Sequence, residues 1–176
     1  AWYALVEQAK LQPGERVLIH AAAGDVGQAA VQIARWIGAE VMVTASPAKQ
    51  TFLREQGITH IFNSHTLDFT AEILDLTAGA GVDVVLNSLA GDFIEQSLAV
   101  VRQAGRFVET GKLGIWSREA MTHQRPDVTY FFFDLNEEMT QDAGLEARLW
   151  AALAPHFAAA TLRPLPQIIF PAAESV

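Results

Sequence analysis

The chain has 176 residues, 51% of them hydrophobic and 18% charged, a composition that supports one packed domain and excludes a disordered chain. Its formal net charge of −8, with no basic run, argues against nucleic acid or an anionic membrane surface as partner. Cysteine is absent, which excludes disulfides, thiolate nucleophiles and cysteine-held metals. The sequence shows no uninterrupted apolar stretch of about 18 residues and no signal-peptide pattern, so a soluble, cytoplasmic protein is expected.

The opening AWYALVEQAKL has a helical pattern that starts as if in mid-helix, so the chain reads as an excised piece; Pro13-Gly14 then makes a turn. RVLIHA is a short apolar strand. VGQAAVQIARWIG places Val26, Ala30, Ile33 and Ile37 on one helical face and stops at Gly38. EVMVTAS is the second strand, and PAKQTFLREQG is a helix with Pro47 in its first turn and Gly57 as its C-cap. HIFNS is the third strand and DFTAEILDLTAG the next helix. VDVVLNSL, a nearly continuous apolar run, reads as a fourth strand covered on both faces. GDFIEQSLAVVRQAG is expected to be helical throughout, followed by the strand RFVETG, a polar loop, and the strand VTYFFFDL. In LEARLWAALAPHF the residues Leu145, Leu149, Leu153 and Phe157 recur four apart, with Pro155 expected to bend or shorten the helix. Strands alternating with helices predict an α/β fold over residues 1–176, a doubly wound parallel sheet of the Rossmann type with about six strands and helices on both faces.

Between the first strand and its helix stands Ala22-Ala23-Gly24-Asp25-Val26-Gly27, a G-x-G-x-x-G pattern with alanine in the first place. Gly24 would let the backbone approach a pyrophosphate, and Gly27 would let the helix press against the strand. The helix N-terminus offers free N–H groups and partial positive charge to the phosphates. Dinucleotide binding follows; the competing reading is a tight turn with a small-residue helix contact. Asp25 occupies a variable position, where its carboxylate would repel phosphate unless it points outward. At the end of the second strand, where an NAD site places a carboxylate, stand Thr44, Ala45 and Ser46, with Lys49 one turn later. A hydroxyl and a cation suit a 2′-phosphate, which favours NADP over NAD. His20 reads as a hydrogen-bonded core or loop-facing residue. His60, His123 and His156 show no metal-ligand spacing, and no metal is expected. Trp36 and Trp150 read as packing residues, and Trp116 as either a cleft border or a loop anchor.

The stretches GERVLIHAAAGDVGQAAVQIAR, GVDVVLNSLAGDFIEQSLAVVRQAGRFVETGK and YFFFDL together resemble the enoylreductase domain of modular polyketide synthases, in the medium-chain dehydrogenase/reductase superfamily. The resemblance runs from Trp2 to about Pro171 in matching order. It implies hydride transfer from NADPH to the β-carbon of an α,β-unsaturated acyl thioester on an acyl carrier protein, then protonation of the α-carbon, beside neighbouring polyketide synthase domains. The lysine after the G-R-F strand matches Lys112 and the aspartate after the aromatic strand matches Asp134, the pair implied to assist protonation. Cofactor contacts carry over to Gly24, Val26, Gly27, Ser46, Lys49, Asn87, Ser88 and Gly111. Asp25 stands where the family loop usually has glycine, and His65 where the family often has an arginine near the adenosine phosphate.

The two strands that end at Lys112 and Asp134 are neighbours in the classic order, so the lysine can reach the aspartate. An apolar, partly dry cleft is expected to lower the lysine's pKa and fit it for proton transfer; an ion pair that only ties two loops is the alternative. In TYFFFD, Tyr130, Phe132 and Asp134 are expected on one face and Phe131 and Phe133 on the other. The family's barrel-like substrate domain is absent from this chain, so the chain is expected to bind NADPH but to reduce thioesters poorly alone. A quinone oxidoreductase of the same superfamily, a non-catalytic or decayed nucleotide-binding module, and a cyclopropane-forming variant stay open.

Overall fold

In the computed structural model, which describes residues 1–166, a short helical segment, Tyr3–Gln8, precedes six strands and seven helices. Its hydrogen bonding is the wider π type, as in the bond from the Ala9 N–H to the Ala4 carbonyl. The elements follow as β1 (Arg16–Ile19), α1 (Asp25–Ile37), β2 (Glu40–Ala45), α2 (Pro47–Glu55), β3 (His60–Asn63), α3 (Phe69–Leu76) and β4 (Val82–Asn87). Then come α4 (Asp92–Ala99), β5 (Val101–Glu109), α5 (Arg118–Gln124), β6 (Thr129–Phe132), α6 (Leu135–Gln141) and α7 (Leu145–Ala158). The sheet order is β3-β2-β1-β4-β5-β6, and every pairing is parallel. The chain crosses from one half of the sheet to the other between β1 and β4, and a crevice opens there at the carboxyl ends of the strands.

Alternation along the strands divides the core in two. Val17 and Ile19 of β1, Val43 of β2, Val84 and Leu86 of β4 and Val108 of β5 face α1 and α7 through Ala30, Ile33, Ala34, Leu145 and Leu149. Leu18, Met42, Val85, Phe107 and Tyr130 face α3, α4 and α5 through Phe69, Ile73, Ile94, Leu98 and Met121. Phe131 and Phe133 pack on the first side and Tyr130 on the second, the division that alternation predicts. The helix stop at Gly38 holds as well. Gly38 takes φ 90°, and its N–H bonds the carbonyls of Ala34 and Arg35.

Three expectations need correction. The helix that opens GDFIEQSLA ends at Ala99, and β5 starts at Val101 rather than Arg106. Val101 pairs with Val82, whose N–H bonds the Val100 carbonyl, and the register shifts before Val84. The exposed Arg102, Gln103 and Ala104, good helix formers by propensity, lie in this irregular start of the strand, with Ala104 at φ 56°. The loop after β5 carries α5, capped by the Ser117 hydroxyl, which accepts from the Ala120 N–H, and β6 is followed directly by α6. Finally, α7 runs through Pro155 to Ala158; an exposed proline in the last turn forfeits one carbonyl partner and leaves the rest intact.

The amino-terminal rim of the sheet is held by charge. Arg106 reaches Glu15 at 2.5 Å and the Ala9 carbonyl at 2.6 Å, Arg16 pairs with Glu40 at 3.0 Å, and Arg102 pairs with Asp83. The Arg16 N–H also bonds the Asp83 carboxylate.

Candidate functional site

At the opposite rim, β1 gives way to a loop pinned on both sides. The His20 N–H bonds the Leu86 carbonyl of β4, and the Ala22 N–H bonds the Thr44 carbonyl of β2. Gly24 precedes α1 in extended conformation, and no side chain caps the helix. The first N–H groups of α1 therefore open onto the notch. A Cβ on Gly27 would stand 2.5 Å from both the Ala21 carbonyl oxygen and the Ala22 Cα, while one on Gly24 would stand 3.3 Å from the Ala21 oxygen. Gly27 is thus what lets α1 pack on the loop backbone.

The notch is the floor of a cavity of about 380 Å³ lined by His20, Ala21, Gly24, Asp25, Val26, Gly27, Leu86, Ser88 and Thr110. It gathers Gly24, Asp25, Val26, Gly27 and Ser88 from the residues selected by sequence, leaves out Asn87, which is fully buried, and Gly111, and adds His20, Ala21, Leu86 and Thr110. Ser46, Lys49 and His65 are not in its lining. They stand at the ends of β2 and β3, with Ser46 ahead of α2, Lys49 exposed in its first turn, and the His65 N–H bonded to the Asn63 side chain. Lys112 and Asp134 likewise lie outside the lining, beyond the ends of β5 and β6.

His20 is wholly buried, and burial pushes its pKa down to about 3. Its Nε2 lies 2.7 Å from the Ser97 Oγ and its Nδ1 2.9 Å from the Thr44 Oγ1. The Ser97 hydroxyl donates to the Phe93 carbonyl at 2.6 Å, so at His20 it accepts. The ring is accordingly the neutral Nε2–H tautomer, receiving the Thr44 hydroxyl proton at Nδ1.

Glu109, which sequence reasoning missed, ends β5 fully buried. Its Oε2 accepts from Asn87 Nδ2 at 2.7 Å and its Oε1 from the Gly111 N–H at 2.7 Å. Burial pushes its pKa up against these two donors. The signal was positional: two residues beyond Phe107 on a covered strand, a carboxylate faces the interior.

Lys112 Nζ meets Asp134 Oδ2 at 2.5 Å, with the lysine side chain 67% exposed and the aspartate 23%. The Asp134 hydrogen bond and charge raise the Lys112 pKa, and the lysine in turn holds the aspartate below its ordinary value. The expectation of a lysine pKa lowered by a dry cleft is corrected here, because the ammonium is solvated and paired. Asp134 also caps α6, its Oδ1 accepting from the Asn136 N–H at 2.9 Å. The Trp116 side chain packs, partly buried, against the core on the Tyr130 side of the sheet, and its backbone carbonyl accepts from the Tyr130 hydroxyl at 3.1 Å.

Comparison with known proteins places this geometry. Residues 26–138 match the family model of the zinc-binding dehydrogenases. The crystal structure of CurK enoyl reductase is 57% identical, with a TM-score of 0.95 over 98% of this chain and 52% of that one. The nucleotide-binding subdomain of the enoylreductase domain of PpsC from Mycobacterium tuberculosis is 39% identical, with a TM-score of 0.84 over 93% of each chain. The phenolphthiocerol synthesis polyketide synthase type I Pks15/1 of Mycobacterium marinum is 50% identical over 139 residues. Those residues are 78% of this chain and 7% of that protein, so the chain spans a small part of the multidomain synthase it matches. Among the described residues no group of three or more His, Cys, Asp or Glu is arranged to hold a metal ion, so the zinc of the family's name has no seat in them. No described helix is long and apolar enough to cross a membrane. The doubly wound sheet, the bare notch at α1 and these likenesses agree: the chain belongs to the zinc-binding dehydrogenase family, as the nucleotide-binding part of an enoylreductase domain of the polyketide synthase kind.

Proposed function

We propose that this chain is the NADPH-binding half of an enoylreductase that reduces an α,β-unsaturated acyl thioester carried by an acyl carrier protein within a polyketide synthase. The observation that carries the proposal is the cavity at the α1 notch, which continues along Ser88 and Thr110 toward the strand ends that bear Lys112 and Asp134. The cofactor, when bound, supplies the hydride that reduces the β-carbon.

The chain's own groups do the rest. The N–H groups at the start of α1 hold the pyrophosphate, with the helix dipole behind them. Ser46, Lys49 and His65 take the 2′-phosphate at the ends of β2 and β3, where a hydroxyl, an ammonium and an imidazole replace the carboxylate of an NAD site. Asn87, Ser88 and Gly111 flank the ring half of the cofactor. Lys112, kept protonated by Asp134, steadies the negative charge that builds on the thioester oxygen and delivers the proton that the α-carbon takes up. Two electrons and one hydrogen thus reach the β-carbon and one proton the α-carbon, which balances the reduction. The acyl group itself is held by a separate barrel-like domain of the same reductase.

The test is NADPH consumption with a crotonyl thioester, by the chain alone and joined to the barrel-like domain, with NADH and a quinone as comparisons. Expected are binding of NADPH by both forms, a preference for NADPH over NADH, and rapid reduction only by the joined form. Strong turnover by the isolated chain, a preference for NADH, or reduction of the quinone in place of the thioester overturns the reading.

A further inference from the structure

Among the described residues the fully buried Glu109 has no cationic partner of the kind that usually compensates a carboxylate in an interior. Its oxygens are met instead by two neutral N–H donors, from Asn87 and Gly111, both at 2.7 Å. Burial first, and the neighbouring Glu109 after it, push the Tyr130 hydroxyl up to about 12. An apolar side chain would serve packing better at this position, so the cost calls for another explanation.

That explanation lies in what the two donors belong to. Asn87 gives its second amide hydrogen to the Leu89 carbonyl at 2.8 Å, and its Oδ1 accepts from the Leu89 N–H at 3.2 Å, which fixes the turn through Ser88. The Asn87 carbonyl accepts from both the N–H and the hydroxyl of Thr110, at 2.9 and 2.7 Å. Gly111 lies so close that a Cβ there would stand 2.8 Å from Glu109 Oε1. One carboxylate therefore clamps two turns: Asn87 to Leu89 after β4, and Thr110 to Lys112 after β5. Ser88 and Thr110 line the cavity, and Lys112 follows Gly111 directly.

We propose that Glu109 is a positioning residue for hydride transfer, its carboxylate holding the two turns that present Ser88, Thr110 and Lys112 to the ring half of the cofactor. The proposal rests on the enoylreductase reading above and adds a residue outside the expected contacts.

The test compares wild type, E109Q and E109D in the two-domain reductase. E109Q keeps the bond to Gly111 but turns an NH2 group toward the NH2 of Asn87; E109D keeps the charge and loses the reach of one methylene. Expected for either variant are an NADPH dissociation constant raised about threefold to tenfold by calorimetry, and single-turnover hydride transfer slowed about tenfold or more at saturating cofactor and thioester. The deuterium isotope effect on kcat from 4-deuterated NADPH should also rise. If the variants melt at lower temperature yet transfer hydride at the wild-type rate and isotope effect once saturated, Glu109 is a packing tie only and the proposal falls. Should E109Q fail to fold, E109D alone decides by the same criterion. Wild-type enzyme that binds no NADPH or leaves the thioester unreduced overturns the enoylreductase reading, and this proposal with it.

Discussion

Gly27→Ala is the most direct probe of the notch. The new methyl would meet two backbone atoms at 2.5 Å, where ordinary contact begins at 3.4 Å, so loop or helix must retreat by about 0.9 Å. Neither is free to do so, because the loop is pinned to Leu86 and Thr44 and the inner face of α1 is buried through Ala30, Ile33 and Ala34. Overpacking against rigid partners costs about 1–3 kcal/mol, and alanine returns up to about 1 kcal/mol of helix propensity. A net loss of about 1–2 kcal/mol follows, which in a domain of this size lowers the melting temperature by about 2–8 °C. The same displacement narrows the phosphate seat, so NADPH should bind about tenfold more weakly by calorimetry. Gly24→Ala is the control: its methyl would stand 3.3 Å from one oxygen, and the cost should stay within about 1 kcal/mol, chiefly the poorer N-cap. A G27A protein that melts within about 1 °C of wild type and binds NADPH unchanged would refute the close-approach argument.

Other substitutions test other parts. Asp25→Asn should tighten NADPH about threefold to tenfold at low ionic strength, an advantage that shrinks as salt is added, because an exposed carboxylate no longer faces the pyrophosphate. Lys112→Met should leave the NADPH dissociation constant within about twofold while slowing thioester reduction about a hundredfold. Asp134→Asn keeps a good N-cap for α6 and its melting temperature, but removes the charge that raises the Lys112 pKa, so the alkaline limb of the rate profile should move to lower pH. His20 carries a pH signature. Its folded pKa of about 3 lies below the unfolded value, so the unfolded chain takes up the proton first, and stability is lost as pH falls below about 6.5 toward 3. Urea unfolding at pH 7 and pH 5 should show a loss of about 2 kcal/mol from this residue, and H20N should show a correspondingly flatter dependence.

Much of this molecule is written locally. The strands of the sheet announce themselves as apolar runs between glycines and prolines, and the notch as small residues between a strand and an amphipathic helix. The errors arise where distant contacts override local preference. Arg102 to Ala104 favour a helix by composition, but pairing of Val101 with Val82 wins. Helices α5 and α6 are only seven residues each and lack a sustained apolar stripe, so only their caps, Ser117 and Asp134, could have flagged them. The meeting of Lys112 and Asp134 follows from strand order, whereas their electrostatics do not, because exposure is not written in sequence. Glu109 escaped because a charged residue at a strand end is ordinarily a solvated one; only its register with Phe107 marks it as interior.

The arginine-rich foot of the sheet has a practical meaning for anyone altering this domain. Guanidinium–carboxylate contacts there are partly open to water, so added electrolyte should loosen that end first, while the ligand-facing end, knitted from amides, hydroxyls and a sheltered acid, should keep its shape. Durability and ligand seating can therefore be tuned from separate ends of one scaffold.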